Sequence, residues 1–199
     1  MRAIESRSAD GGFMYSQRLE KAIRLMLHAH AGQLRKADPQ VPYATHPFHV
    51  ALMVREAGGD EDCVISALLH DVLEDTDVTP EDLEEAFGPR VAAIVREVSE
   101  DKTLSWEDRK ARMVEHLRVA SREACLVAAA DKIHNLETLV DAHRRFGGVI
   151  WTAFRRGPEA TVRFHREALD AMRDRIPEGL RTSFLRAIAS AEEIAGRPI

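Results

Sequence analysis

The sequence predicts an all-α fold, a compact single-domain helical bundle, and three observations predict it. Apolar residues recur at helical spacing in nearly every segment, capping signatures open several of those segments, and alternating strand-like runs are almost absent. The 199 residues suffice for one domain with a substantial core. Residues 1–14 read as a loose tail and 15–199 as one domain whose last helices cover 149–195.

Each element follows from local signals. Gln17 to Ala31 puts Leu19, Ile23, Met26, Leu27 and His30 on one stripe of a helix. Gly32 to Thr45 is a loop broken by Pro39 and Pro42. His46 to Ala57 is a short helix with Pro47 in its first turn and Gly58-Gly59 past its end. Asp60 caps a helix that continues to about Asp75. Thr79-Pro80-Glu81-Asp82 joins a capping hydroxyl, a first-position proline and acids, which together start a helix. Phe87-Gly88-Pro89 stops it and opens another through Val91, Ile94, Val95 and Val98. Glu100 to Leu104 is a polar loop, and Ser105-Trp106-Glu107-Asp108 begins the next helix. Arg122 to Val140 is a long helix whose middle, Cys125 to Ala130, is apolar all round and therefore central. Gly147-Gly148 and Gly157-Pro158 punctuate two later helices, and a last one covers Gly179 to Ala195.

Composition narrows the function. The chain is 45% hydrophobic and 31% charged, with a formal net charge of -5, so nothing global favours nucleic acid. A site for a polyanion must be a local basic patch. Cys63 and Cys125 lie in apolar helical patterns without CxxC spacing, which fits reduced thiols in a cytoplasmic protein. Met1 to Gly12 has no apolar signal core, and no apolar run approaches the ~20 residues of a membrane span.

The chemistry concentrates in Ala67-Leu68-Leu69-His70-Asp71-Val72-Leu73-Glu74-Asp75. An apolar helix has no structural use for His70, Asp71, Glu74 and Asp75, and burying such groups unpaired costs several kcal/mol each. In one continuous helix His70 and Glu74 form an i,i+4 pair, and Asp71 and Asp75 another. Asp131 follows Leu126-Val127-Ala128-Ala129-Ala130, so it is expected near the core, where a metal ion and Lys132 compete for its charge. A histidine opening a helix, as His46 does before Pro47, is by itself ordinarily a capping or surface residue. His46, His70, Asp71 and Asp131 together are candidates for one divalent ion, since imidazole with carboxylate suits manganese, iron, zinc or magnesium. Glu74 and Asp75, just beyond, are placed to orient water or move protons. His28, His30, His49, His116, His134, His143 and His165 are expected to be core or surface residues. Arg35-Lys36 precedes His46, and Lys102, Arg109 and Lys110 form a further basic group.

In order along the chain, His46, His70-Asp71 and Asp131 resemble the HD superfamily of metal-dependent phosphohydrolases. The likeness is closer to its (p)ppGpp hydrolases, both the domain of RelA/SpoT enzymes and the free-standing small alarmone hydrolases. It rests on Ala29-His30-Ala31-Gly32-Gln33-Leu34-Arg35-Lys36, Pro42-Tyr43-Ala44-Thr45-His46-Pro47, Glu74-Asp75-Thr76, Phe87-Gly88, Asp101-Lys102-Thr103-Leu104 and Asp131-Lys132-Ile133-His134-Asn135-Leu136, spanning about 25–140.

The resemblance implies an HD-type helical bundle and specific roles. His46, His70, Asp71 and Asp131 would hold one ion, usually manganese; Glu74 and Asp75 would activate and position water; Arg35, Lys36, Asn135 and Thr138 would bind the nucleotide. The reaction implied is removal of the 3′-pyrophosphate, giving GDP or GTP, by a stand-alone hydrolase with a small-molecule partner, as a monomer or homo-oligomer. Ala128, Glu137 and Arg163-Phe164-His165-Arg166 depart from that family's usual lysine, arginine and tyrosines. They bear on the substrate, not the metal. The alternatives are an HD phosphohydrolase of another nucleotide, such as an NADPH phosphatase, and a catalytically silent nucleotide-binding helical module.

Overall fold

Capping chemistry sets most of the helix boundaries in the computed structural model, which describes residues 15–154 and 156–196. Ser16 accepts a hydrogen bond from the Leu19 amide and opens α1 (Gln17–Ala29). After α2 (Thr45–Glu56), Asp60 accepts from the Cys63 amide and opens α3 (Glu61–Leu69). A single turn, α4 (Val72–Asp75), follows. Thr79 and Asp82 form a reciprocal capping box at the start of α5 (Pro80–Phe87). Gly88, at φ +92°, turns the chain directly into α6 (Pro89–Val98). Ser105 caps α7 (Trp106–Leu117) and Ser121 caps α8 (Arg122–Phe146). Each cap contributes about 1 kcal/mol. A 3-10 segment (Gly147–Ala153), α9 (Gly157–Met172) and α10 (Glu178–Ala195) complete the order.

The architecture is all-α; among the described residues the β-structure is an isolated bridge between Leu34 and Pro42. α8 runs through the middle, packed against α2, α3, α6, α9 and α10, while α5 lies on α6 and α7 on α9. Its residues Ala124–Ala130 are buried on every side, as their uninterrupted apolar character requires, and Asp131, Lys132 and Ile133 continue the buried run. Cys63 and Cys125 are free, buried thiols. Gly59 is required by space: a Cβ there would stand 2.6 Å from Val54 Cγ1. Among the described residues no helix is long and apolar enough to cross a membrane.

Four expectations need correction. Leu27, placed on the apolar stripe of α1, is 52% exposed, because Ala22, Met26 and His30 carry the buried face. The helix capped by Asp60 does not run unbroken to Asp75; it stops at Leu69, and Asp71, with ψ near -5°, loosens the turn before Val72. The i,i+4 relation inferred from one continuous helix survives for Asp71 and Asp75, the Asp75 amide donating to the Asp71 carbonyl at 3.0 Å, while His70 and Glu74 lie on either side of the break. The central helix passes Val140 and ends at Phe146, where His143, Arg144 and Arg145 complement its C-terminal dipole and Gly147 takes φ +69°. Residues 32–45 are more than a loop: the bridge is held by Arg35 N–H to Val41 O (2.9 Å) and Tyr43 N–H to Gln33 O (2.8 Å). The tail expected over 1–14 lies outside the described residues.

Candidate metal centre and adjoining cavity

Three helices bring the centre together. His46 lies in the first turn of α2, its amide donating to Tyr43 O at 2.9 Å. His70 and Asp71 occupy the break between α3 and α4. Asp131 lies in the buried middle of α8. Ligand atoms of His46, His70 and Asp131 all lie within 4.8 Å of one another. Asp71 joins them, with Oδ2 3.0 Å from His70 Nε2 and 3.5 Å from His46 Nε2. His46 Nε2 is 3.2 Å from Asp131 Oδ1. His46 is buried, contrary to what its position at a helix start implies when read alone.

The donor set fits a cation. His70 Nδ1 donates to the Ala67 carbonyl at 2.7 Å, which leaves Nε2 facing the carboxylates, buried and without a hydrogen bond. Burial opposes a charged His70 ring, yet Asp71 and Asp131 outweigh it and hold the imidazole well above its usual range. Burial likewise works against the Asp131 carboxylate, but Lys132, His46 and His70 keep it ionised far below its ordinary value. Asp71 is also pulled down against burial, chiefly by His70. Two ionised carboxylates in a buried cluster demand positive charge, and two imidazole nitrogens beside them can give their lone pairs to a metal ion in place of protons.

The outer partners come from neighbouring turns. Asp131, His134, Asn135 and Thr138 are spaced i, i+3, i+4, i+7 and so share one face of α8. Asn135 Nδ2 donates to Asp131 Oδ1 at 2.6 Å, and Lys132 Nζ to Oδ2 at 2.6 Å. Tyr43 donates its hydroxyl to Asp71, and burial, with Asp71 beside it, pushes the phenol up. His134 Nδ1 lies 2.8 Å from His46 Nδ1, and burial pushes His134 down to about 3. Tyr43 and His134 are contacts that sequence reasoning missed. His134 carried a signal, its i+3 spacing from Asp131; Tyr43 carried only its place in the segment before His46, because what it touches depends on the Leu34–Pro42 bridge.

Glu74 and Asp75 part company. The Glu74 carboxylate accepts from the Glu100 amide at 2.8 Å, and burial followed by the charge of Asp71 raises it to about 7. Asp75 turns outward to pair with Lys102, while its carbonyl accepts from Gln33 Nε2 at 3.0 Å.

A cavity of about 380 Å³ adjoins the centre. Tyr43, Lys132 and Asn135 form a shared wall, since each lines the cavity and each also holds a carboxylate of the cluster. Arg35 Nη2 donates to Asn135 Oδ1 at 2.9 Å and to Thr138 Oγ1 at 3.3 Å, so three of the expected nucleotide contacts form one group. Lys36 also lines the cavity, its Nζ 5.1 Å from the Phe154 ring centroid. Arg109 and Lys110 reach it from α7, held by Glu100 at 3.3 and 2.6 Å; Lys102, from the same sequence cluster, does not line it. Among the described residues, five cationic side chains thus face the cavity and no carboxylate does. Phe164 and His165 line it as well, whereas Glu137 is exposed and absent from its wall. Ala128 is a core residue.

The sequence profile described as the HD domain matches residues 22–149. Relatives include the guanosine-3′,5′-bis(diphosphate) 3′-pyrophosphohydrolases MESH1 of Drosophila melanogaster, 39% identical over 126 residues (62% of this chain, 70% of the relative), and of Mus musculus, 42% identical over 123 residues (61% and 69%). The bifunctional (p)ppGpp synthase/hydrolase SpoT of Escherichia coli K12 is 38% identical over 129 residues, which cover 62% of this chain and 18% of SpoT. The structure of a metazoan ortholog of SpoT that hydrolyzes ppGpp superposes with a TM-score of 0.75 at 29% identity, over 89% of this chain and 97% of that one. The profile covers α2, the helix break and the central helix, which supply His46, His70, Asp71 and Asp131, and the chain therefore belongs to the HD-domain family.

Proposed function

We propose that this protein is a divalent-metal-dependent (p)ppGpp 3′-pyrophosphohydrolase, yielding GDP or GTP and pyrophosphate. The observation that carries this reading is the shared wall: a carboxylate–imidazole cluster backs directly onto a cavity lined by five cations. A guanosine carrying phosphate at both ends of its ribose suits that polarity, and the names of the MESH1 and SpoT relatives support the choice.

In this reading His46, His70, Asp71 and Asp131 hold the ion, and manganese suits a set of two imidazoles and two carboxylates. When bound, it supplies Lewis acidity, polarising a phosphoryl oxygen and making water a better nucleophile near neutral pH. Glu74, raised to about 7, accepts the proton of the attacking water and is aimed by the Glu100 amide. Asp75, tied to Lys102, positions the α4 turn that carries Glu74. Arg35 stacks on or forks onto the nucleotide with Asn135 and Thr138 beside it, and Lys36 with the α7 cations neutralises phosphate.

The test is phosphate and pyrophosphate release from ppGpp with manganese and with chelator, beside NADPH and simple nucleotides. Manganese-dependent pyrophosphate release from ppGpp is expected. Phosphate release from NADPH alone would overturn the substrate while leaving the metal centre, and silence across the panel with metal bound would make the protein a nucleotide-binding module.

A further inference from the structure

Two imidazoles meet back to back behind the centre. His46 Nε2 faces Asp131 and Asp71, while its Nδ1 is 2.8 Å from His134 Nδ1. Ring nitrogens at that distance share one proton. With the proton on His46 Nδ1, Nε2 is a bare lone pair. With it on His134 Nδ1, a neutral His46 carries its own proton on Nε2 and cannot ligate. His70 has no such choice, because its Nδ1 faces the Ala67 carbonyl, which can only accept. His134 is buried and wedged between two rings, with centroids 4.8 Å from those of both His46 and His49.

We propose that His134 is a positioning residue for the metal centre: it accepts from His46 Nδ1 and fixes the tautomer and ring orientation that present Nε2 to a divalent cation. The inference rests on reading His46 as a ligand, and it extends that reading to a residue outside the ligand set. Such partners of ligand histidines commonly change metal affinity 10–100-fold.

The experiment is chelator competition for manganese and zinc on the full chain. His134→Leu, which removes the acceptor, is expected to weaken both metals about 10–100-fold. His134→Asn, whose side-chain oxygen stands near the position of Nδ1, is expected to recover most of that loss. Native affinity in folded His134→Leu overturns the proposal, and so does an equal loss in both variants, which would make the role one of packing. His46→Ala separates the two layers: if it leaves affinity intact, the reading of the centre falls; if it loses affinity while His134→Leu does not, only the present inference falls. Nitrogen NMR of the zinc-loaded wild type is independent of any variant's folding. A protonated Nδ1 and metal-bound Nε2 on His46 are expected, and a protonated His134 Nδ1 would overturn the assignment.

Discussion

At one end of the site two carboxylates and two imidazoles converge within a few ångströms; at the other, among the described residues, five cations and no carboxylate line a cavity. The first region is closed and the second open, yet Tyr43, Lys132 and Asn135 belong to both. The anionic end is assembled from residues close to helix ends and one helix face, whereas the cationic end gathers side chains from the bridge, α7 and α8. The difference teaches how a protein of net charge -5 can take a polyanion: charge is sorted locally rather than globally.

The contrast can be broken at its anionic end first. Asp71→Ala is expected to lower metal-dependent turnover by about 10³-fold or more, with the helical circular dichroism unchanged. Full activity in that variant would remove Asp71 from the centre. Glu74→Gln is expected to cost roughly 10²-fold in kcat while metal binding stays. The wild-type sign follows from the raised acid: the carboxylate is the working form, so kcat rises with pH, with a midpoint at or below about 7 once a cation favours ionisation. A pH profile that keeps this limb in Glu74→Gln assigns it to another group.

The cationic end should respond differently. Arg35→Ala is expected to raise KM for the nucleotide about tenfold, the worth of one charge-assisted hydrogen bond of roughly 1.5 kcal/mol, with metal affinity untouched. An unchanged KM would remove Arg35 from the binding group. Glu137→Arg is the smallest effect, within about twofold in kcat/KM, because an exposed residue off the cavity wall meets only screened charge. A large gain there would show that the substrate reaches further than the cavity.

How much of this was legible in the sequence depends on whether a residue contradicts its surroundings. His70, Asp71 and Asp131 are charged groups inside apolar helices, so the chain itself announces them. Capping residues announce helix starts in the same way: Asp60, Thr79 and Ser105, read as starts, all cap, and the structure adds Ser16 and Ser121. Arg109 and Lys110 contradict nothing in the polar turn of α7, and only packing against α9 brings them to the cavity. His134 reads as one more helical histidine until the fold sets His46 against it. The break at His70-Asp71 was hidden because both residues stay near helical φ and ψ while the apolar pattern continues across them.

That break has a consequence for any attempt to improve the molecule. Consecutive residues of a regular helix point about 100° apart. His70 and Asp71 are consecutive, and both reach the same small volume. Substitutions chosen only to make residues 69–72 a more regular helix would move the Asp71 backbone away from φ -100°, ψ -5° and shift its carboxylate relative to His70 Nε2. Selection for heat resistance at this break is therefore expected to trade against the geometry of the centre.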